Sequence, residues 1–237
     1  MNRLLLSLLM MTFIGSLKAQ YLPKNLPTYD EKSWHFGFSL GINVMNFNLH
    51  PVDQASYDTT LRIMYPNNSL GFNIGIVANK RLVKYLDLRF VPTLSFGERS
   101  LEYYIVTSPN KEEHFVKTVE STFLDLPLTL KYKSKRFDRN LNNIRTFVLG
   151  GVRYSYDLAS QKKKKGTSDD VVIKLNPHDF MVTGGVGFDF YMKYFKFGVE
   201  LQMAYGLVNV LDQENTIYTT NIDKLSSKMA WITFTFE

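Results

Sequence analysis

From Trp34 the chain reads Trp-His-Phe-Gly-Phe-Ser-Leu-Gly-Ile-Asn-Val, with every even position apolar and every odd position small or polar. An α-helix cannot sort such a period-two pattern onto one face, so the segment is read as a β-strand with one apolar side. The pattern recurs seven times. Leu70 to Ala78 sets Leu70, Phe72, Ile74, Ile76 and Ala78 against Gly71, Asn73 and Gly75, and Leu86 to Phe96 places Asp87, Arg89, Thr93 and Ser95 on the odd face. A fourth run opposes Leu124, Leu126, Leu128, Leu130 and Tyr132 to Asp125, Pro127, Thr129 and Lys131. In the fifth, Val148, Val152, Tyr154 and Tyr156 alternate with Leu149, Gly151, Arg153 and Ser155; in the sixth, Val182, Val186, Phe188 and Phe190 alternate with Thr183, Gly185, Gly187 and Asp189. The seventh spans Phe195 to Gly206, and the chain closes with Ala230, Ile232, Phe234 and Phe236 against Trp231, Thr233, Thr235 and Glu237.

The runs are about 9 to 12 residues long, the length of a tilted strand that crosses a bilayer and longer than the usual strand of a soluble sheet. Their connections run roughly 23, 5, 22, 10, 22, 3 and 21 residues, alternately long and short, whereas soluble domains favour short loops throughout. Together these features predict an all-β fold: an eight-stranded antiparallel up-and-down transmembrane barrel of the outer-membrane type, with four long extracellular loops and short periplasmic turns. Even positions then face lipid and odd positions the lumen, with Trp34, Tyr132, Tyr156, Phe195, Tyr205 and Phe236 supplying interfacial girdles. Both termini fall in the periplasm.

Residues 1–19 read as a signal peptide, with Arg3 in the n-region, an apolar core from Leu4 to Leu17 and Ala19 before the cut. The core is about 14 residues, ~21 Å as a helix, too short to remain as a membrane anchor. With no cysteine there is no lipoprotein anchor, disulfide framework or thiolate metal site. Residues 20–33, with Pro23 and Pro27 and no alternation, are expected to be a periplasmic extension, either disordered or a docking strand for a partner. The barrel domain is 34–237. Losing Arg3 and Lys18 with the leader takes 28 Lys+Arg to 26 against 22 Asp+Glu, a weak charge of +4 that, on an exported chain, points to anionic lipid headgroups and away from nucleic acid.

The lumen-facing positions, odd except in the seventh run, where Lys196 and Glu200 oppose the apolar odd residues, carry Asp87, Asp125, Asp189 and Glu200 against Arg89, Lys131, Arg153 and Lys196. Charges inside a narrow barrel must pair, so these eight are expected to form a structural lumen network. An eight-stranded barrel is just wide enough for its own side chains, which argues against a pore. Lys162, Lys163, Lys164 and Lys165 lie in a long loop and are candidates for contact with lipid headgroups. His178, Asp179 and Ser168 are the nearest approach to a lipid-modifying catalytic set, and His35, His50 and His114 lack metal-ligand spacing; no catalytic, metal or cofactor site is assigned. Gly184, Gly185 and Gly187 lie within a strand and precede no helix, so they are not a nucleotide loop.

Five stretches, KNLPTYDEKSWHFGFSLGIN (24–43), FLDLPLTLKYK (123–133), FVLGGVRYSYDL (147–158), FKFGVELQMAYGLVNVL (195–211) and the ending WITFTFE, resemble the PorT family of Bacteroidetes outer-membrane barrels. The resemblance implies association with type IX protein secretion, and in some bacteria with gliding motility, as a non-enzymatic accessory or assembly component whose partners are secretion components and outer-membrane lipids. The alternatives are a stand-alone surface barrel that binds lipid or extracellular matrix through its loops and, third, a lipid A-modifying enzyme. The sequence does not give the oligomeric state.

Overall fold

A computed structural model describes residues 24–52, 61–108, 111–137, 143–160, 174–212, 219 and 221–237. One 3-10 turn, Tyr29–Glu31, precedes ten strands: β1 (Trp34–Pro51), β2 (Leu61–Asn67), β3 (Ser69–Val83), β4 (Leu86–Phe90), β5 (Thr93–Ser108), β6 (Lys111–Lys133), β7 (Ile144–Asp157), β8 (His178–Tyr191), β9 (Lys196–Gly206) and β10 (Ile222–Phe236). All pairings are antiparallel, and the sheet closes because β1 pairs with β10 on one side, Phe38 opposite Phe236, and with β3 on the other, Trp34 opposite Lys80. β2 and β3 are separated only by Asn68. β4 and β5 are separated by Val91 and Pro92, where proline has no N–H to give the ladder. Each broken pair occupies one place in the wall, so ten segments make a ring of eight strands.

Side chains alternate across the wall in each strand. Odd residues point inward in β1 and in β3 to β8, whereas β9 has the opposite parity, burying Lys196, Glu200 and Ala204 and exposing Leu201 and Tyr205, and in β2 Tyr65 faces out. The outward positions of the band are apolar: Ile42, Ile76, Val152 and Phe180 are all more than half exposed. On β3 the outward residues from Leu70 to Leu82, apolar apart from Lys80 near the end, cover about 28 Å at ~3.3 Å per residue and a tilt of ~45°, the height of a hydrocarbon band. Small inward residues let the strands close at this radius. A Cβ on Gly151, for instance, would lie 2.7 Å from the Thr129 Cα of β6.

Above this band the polarity inverts, and a register shift between β1 and β10 turns Ile222 inward. Inward positions become apolar: Phe47 of β1, Leu101 and Tyr103 of β5, Val119 of β6 and Ile222 and Leu225 of β10 pack with Leu175, Val210 and Leu211 into a buried cluster. Outward positions become polar, including Glu98, Glu102 and Glu120. Where water replaces lipid outside, a strand gains by placing its apolar side within. This inversion corrects the expectation of four long loops: the second is a hairpin, β5 running to Ser108 and β6 starting at Lys111. For the same reason β1 continues to Pro51 and β10 begins at Ile222, both inside segments the even-apolar pattern assigns to loops.

The start of the described chain also departs from expectation. Residues 24–33 are neither loose nor a free strand. They fold across the end of the barrel that holds the short turns and Glu237, because buried cations there need partners. Asp30 takes Arg145 on both oxygens at 3.0 and 3.2 Å and Arg136 at 2.9 Å. Arg136 donates to the carbonyls of Asn25 and Leu26, at 2.8 and 3.2 Å, and Asn25 donates its backbone N–H to Asn143 Oδ1 and its side-chain amide to the Tyr191 carbonyl, both at 2.9 Å. These contacts hold Leu26 at φ 45°, a left-handed conformation that is costly for a side-chain-bearing residue.

Burial raises the Asp30 carboxyl, but Arg145 and Arg136 outweigh it and hold the group below its ordinary value. A carboxylate whose folded value is depressed stabilises the fold fully above the ordinary carboxylate range and loses that contribution as pH falls through the folded value. Residues 25–31 should therefore be protected from hydrogen exchange at pH 7 and lose protection in strong acid, and Asp30→Asn should show reduced protection already at pH 7. Equal protection of variant and wild type at pH 7 would remove Asp30 as the anchor.

Candidate functional site

The lumen holds charge in layers set by strand register. Toward the terminal end, the Arg89 guanidinium of β4 pairs with Glu200 of β9 and lies 3.6 Å from Glu237, which also receives Lys196 Nζ at 2.9 Å. Lys131 Nζ donates to Asp189 Oδ1 at 2.9 Å and sits 3.5 Å over the Phe147 ring. Lys133 Nζ lies 2.7 Å from Asp87, to which Asn79 also donates at 3.0 Å. At mid-height, Asp125 accepts from Arg153 Nη1 at 3.0 Å, from Ser95 Oγ at 2.6 Å and from Ser155 Oγ, while the Arg153 guanidinium stacks 3.8 Å above Trp231.

Higher still, Arg99 donates to Ser121, Ser227 and Asp157 and lies between the Phe47 and Phe123 rings at 4.7 and 4.8 Å. Beside Arg89 and Glu200 a cavity of about 30 Å³, lined also by Ser39, Asn73, Trp231 and Thr233, is of the size of a water molecule.

All eight charged residues singled out in the sequence are buried in this interior. Three pairs form within that set: Arg89 with Glu200, Lys131 with Asp189 and Arg153 with Asp125. Asp87 and Lys196 find their partners outside it, in Lys133 and Glu237. The set of lumen charges expected from the sequence lacked Lys133, Arg145, Glu237, Arg99, Asp157 and Asp179. Each continues the inward alternation of its own strand, at or just beyond the end of an apolar run, and that alternation is the signal that finds them.

His178 and Asp179 do not act together. His178 is exposed on the outer wall, its Nδ1 2.7 Å from the Tyr154 hydroxyl, whereas Asp179 is buried in the lumen, because neighbours on a strand face opposite ways. Ser168 lies outside the described residues, as do residues 1–23 and Lys162, Lys163, Lys164 and Lys165. His35 is bonded to the Tyr29 carbonyl at 2.7 Å and stacked on its ring. Among the described residues no group of three His, Asp or Glu side chains is placed to hold a metal ion.

A closed antiparallel ring with an apolar belt outside and paired charge inside defines an integral outer-membrane β-barrel. The model of the outer membrane protein beta-barrel domain matches residues 18–212, and the chain belongs to that family. Among solved structures it is similar to OprG of Pseudomonas aeruginosa, at 11% identity over 86% of this chain and 93% of that one with a TM-score of 0.43. It is also similar to the N-terminal β-barrel domain of OprF from the same organism, at 15% identity over 84% and 97% with a TM-score of 0.30. No curated protein matches the chain.

Proposed function

We propose that this protein is a non-enzymatic, non-conducting outer-membrane barrel that serves type IX protein secretion as an accessory or assembly component, with both termini in the periplasm. The observation that carries the first half is the filled lumen: three layers of mutually paired charge occupy an interior already narrow for an eight-stranded ring. A barrel plugged by its own side chains works through its surfaces, which are the lipid-facing wall, the projecting β5–β6 hairpin and the outer loops, with Lys162 to Lys165 offered to lipid headgroups. The separation of His178 from Asp179 across the wall supports the non-enzymatic reading. The secretion assignment is supported by the resemblance of Lys24–Asn43 and the four later stretches to PorT proteins.

Two measurements test it. In planar bilayers the purified chain is expected to give no steady open-channel conductance; well-resolved porin-like steps would overturn the non-conducting reading. In the native host, deletion should abolish release of proteins bearing carboxy-terminal secretion signals while the outer membrane stays intact. Normal release together with an adhesion defect would replace the accessory reading with a surface binder.

A further inference from the structure

At the terminal end three separate stretches converge. The β3–β4 turn brings Lys84 and Tyr85; the Lys133 amide bonds to the Tyr85 carbonyl at 2.8 Å, setting Lys135 and Arg136 beside that turn; and the Arg81 amide bonds to the Ser33 carbonyl at 2.8 Å, drawing in residues 24–33. Between them lies a cleft of about 380 Å³, within the range of small-ligand sites. Lys24, Arg81, Lys84 and Lys135 line it, as do Arg136 and Arg145. Among the described residues Asp30 is the one carboxylate in the lining, and its oxygens are taken by the two buried arginines.

The four remaining cations have no carboxylate partner among the described residues, and the buried Nε atoms of Arg136 and Arg145 have no hydrogen-bond acceptor. Folding does not account for so much uncompensated positive charge in one concavity, since like charges repel.

We propose that this cleft binds a phosphate-bearing anion, and that its source is the headgroup of a phospholipid in the adjoining leaflet. The surroundings favour a lipid. Leu82 and Val83, between Arg81 and Lys84, are exposed apolar residues, Tyr132 is exposed on the neighbouring strand, and Lys80 lies 5.2 Å over the Trp34 ring. Cations next to an aromatic belt at the edge of the hydrocarbon band match a headgroup above its acyl chains. Arginine forks and lysine ammonium groups are the side chains that recognise phosphate oxygens. The inference is independent of the secretion reading and stands or falls on the cleft itself.

The test is native mass spectrometry of the full chain, folded in detergent and titrated with phosphatidylglycerol or with inorganic phosphate. Wild type should retain one phosphatidylglycerol, and Arg81→Ala/Lys84→Ala/Lys135→Ala, which touches no ion pair of the lumen, should weaken retention on the order of tenfold or more. Lys228→Ala, at the opposite end, should change nothing. Binding of inorganic phosphate with the same sensitivity to the triple variant, and displacement of lipid by it, would support the anion site while overturning the headgroup as its source. Equal lipid retention by wild type and the folded triple variant, with no phosphate binding, would overturn the proposal. Should the triple variant not fold, Lys84→Glu alone, on an exposed turn, gives the same readout.

Discussion

Asp125→Ala is expected to destabilise the barrel by about 3 to 5 kcal/mol, the cost of removing one member of a buried ion pair and leaving the other charge behind. Asp125 is fully buried and carries three interactions at once, from Arg153, Ser95 and Ser155. Its loss strands the Arg153 guanidinium against the Trp231 face, with two serine hydroxyls deprived of their acceptor. An intact pair in this position is close to neutral against a well-packed apolar alternative, because the desolvation of two ions offsets their attraction. The large effect therefore belongs to the broken pair and not to the pair itself. A double variant, Asp125→Leu/Arg153→Met, should recover much of the loss. Urea unfolding of the detergent-folded chain, read from its heat-modifiable gel shift, checks both. A loss below about 1 kcal/mol for Asp125→Ala would mean that water reaches this layer.

Leu201→Arg should cost about 2 to 4 kcal/mol if the residue lies at the bilayer midplane, because an arginine there must be dragged from water into hydrocarbon. Leu201 is half exposed on β9, between Ile232 of β10 and Val186 of β8 in the ladder, so its neighbours offer no carboxylate. The same substitution at Leu207, past the end of β9, should cost less, since an arginine near an interface reaches water along its own stem. A Leu201→Arg barrel as resistant to urea as wild type, in bilayers as well as in detergent, would shift the hydrocarbon band away from this level. The two variants probe opposite sides of one wall. Removing a charge is costly inside, and adding one is costly outside.

Much of this was legible in the sequence because lipid imposes a simple rule on the strands that touch it. Outward side chains must be apolar, the strand period is two, and alternation along each strand then gives a residue's side of the wall. That alternation, taken strand by strand, places Asp87, Arg89, Asp125, Lys131, Arg153 and Asp189 within at odd positions and Lys196 and Glu200 within at even ones. It failed where the solvent outside the strand changes. Arg99, Leu101 and Tyr103 keep the inward parity of Ser95, but an apolar residue at an odd position broke the expected pattern, and the whole β5–β6 hairpin was read as loop.

The alternating runs by themselves determined strand number, facing and the closed antiparallel form, since these follow from local periodicity and the thickness of a bilayer. Which charge meets which was decided only by tertiary structure. Arg89 reaches Glu200 and Arg99 reaches Asp157 across separations of 111 and 58 residues, distances in sequence that no local pattern encodes. The fold of residues 24–33 was likewise a tertiary outcome. Nothing in a short proline-containing stretch specifies a strap; Arg136 and Arg145, buried at the end of a closed ring, required a carboxylate, and Asp30 supplies it.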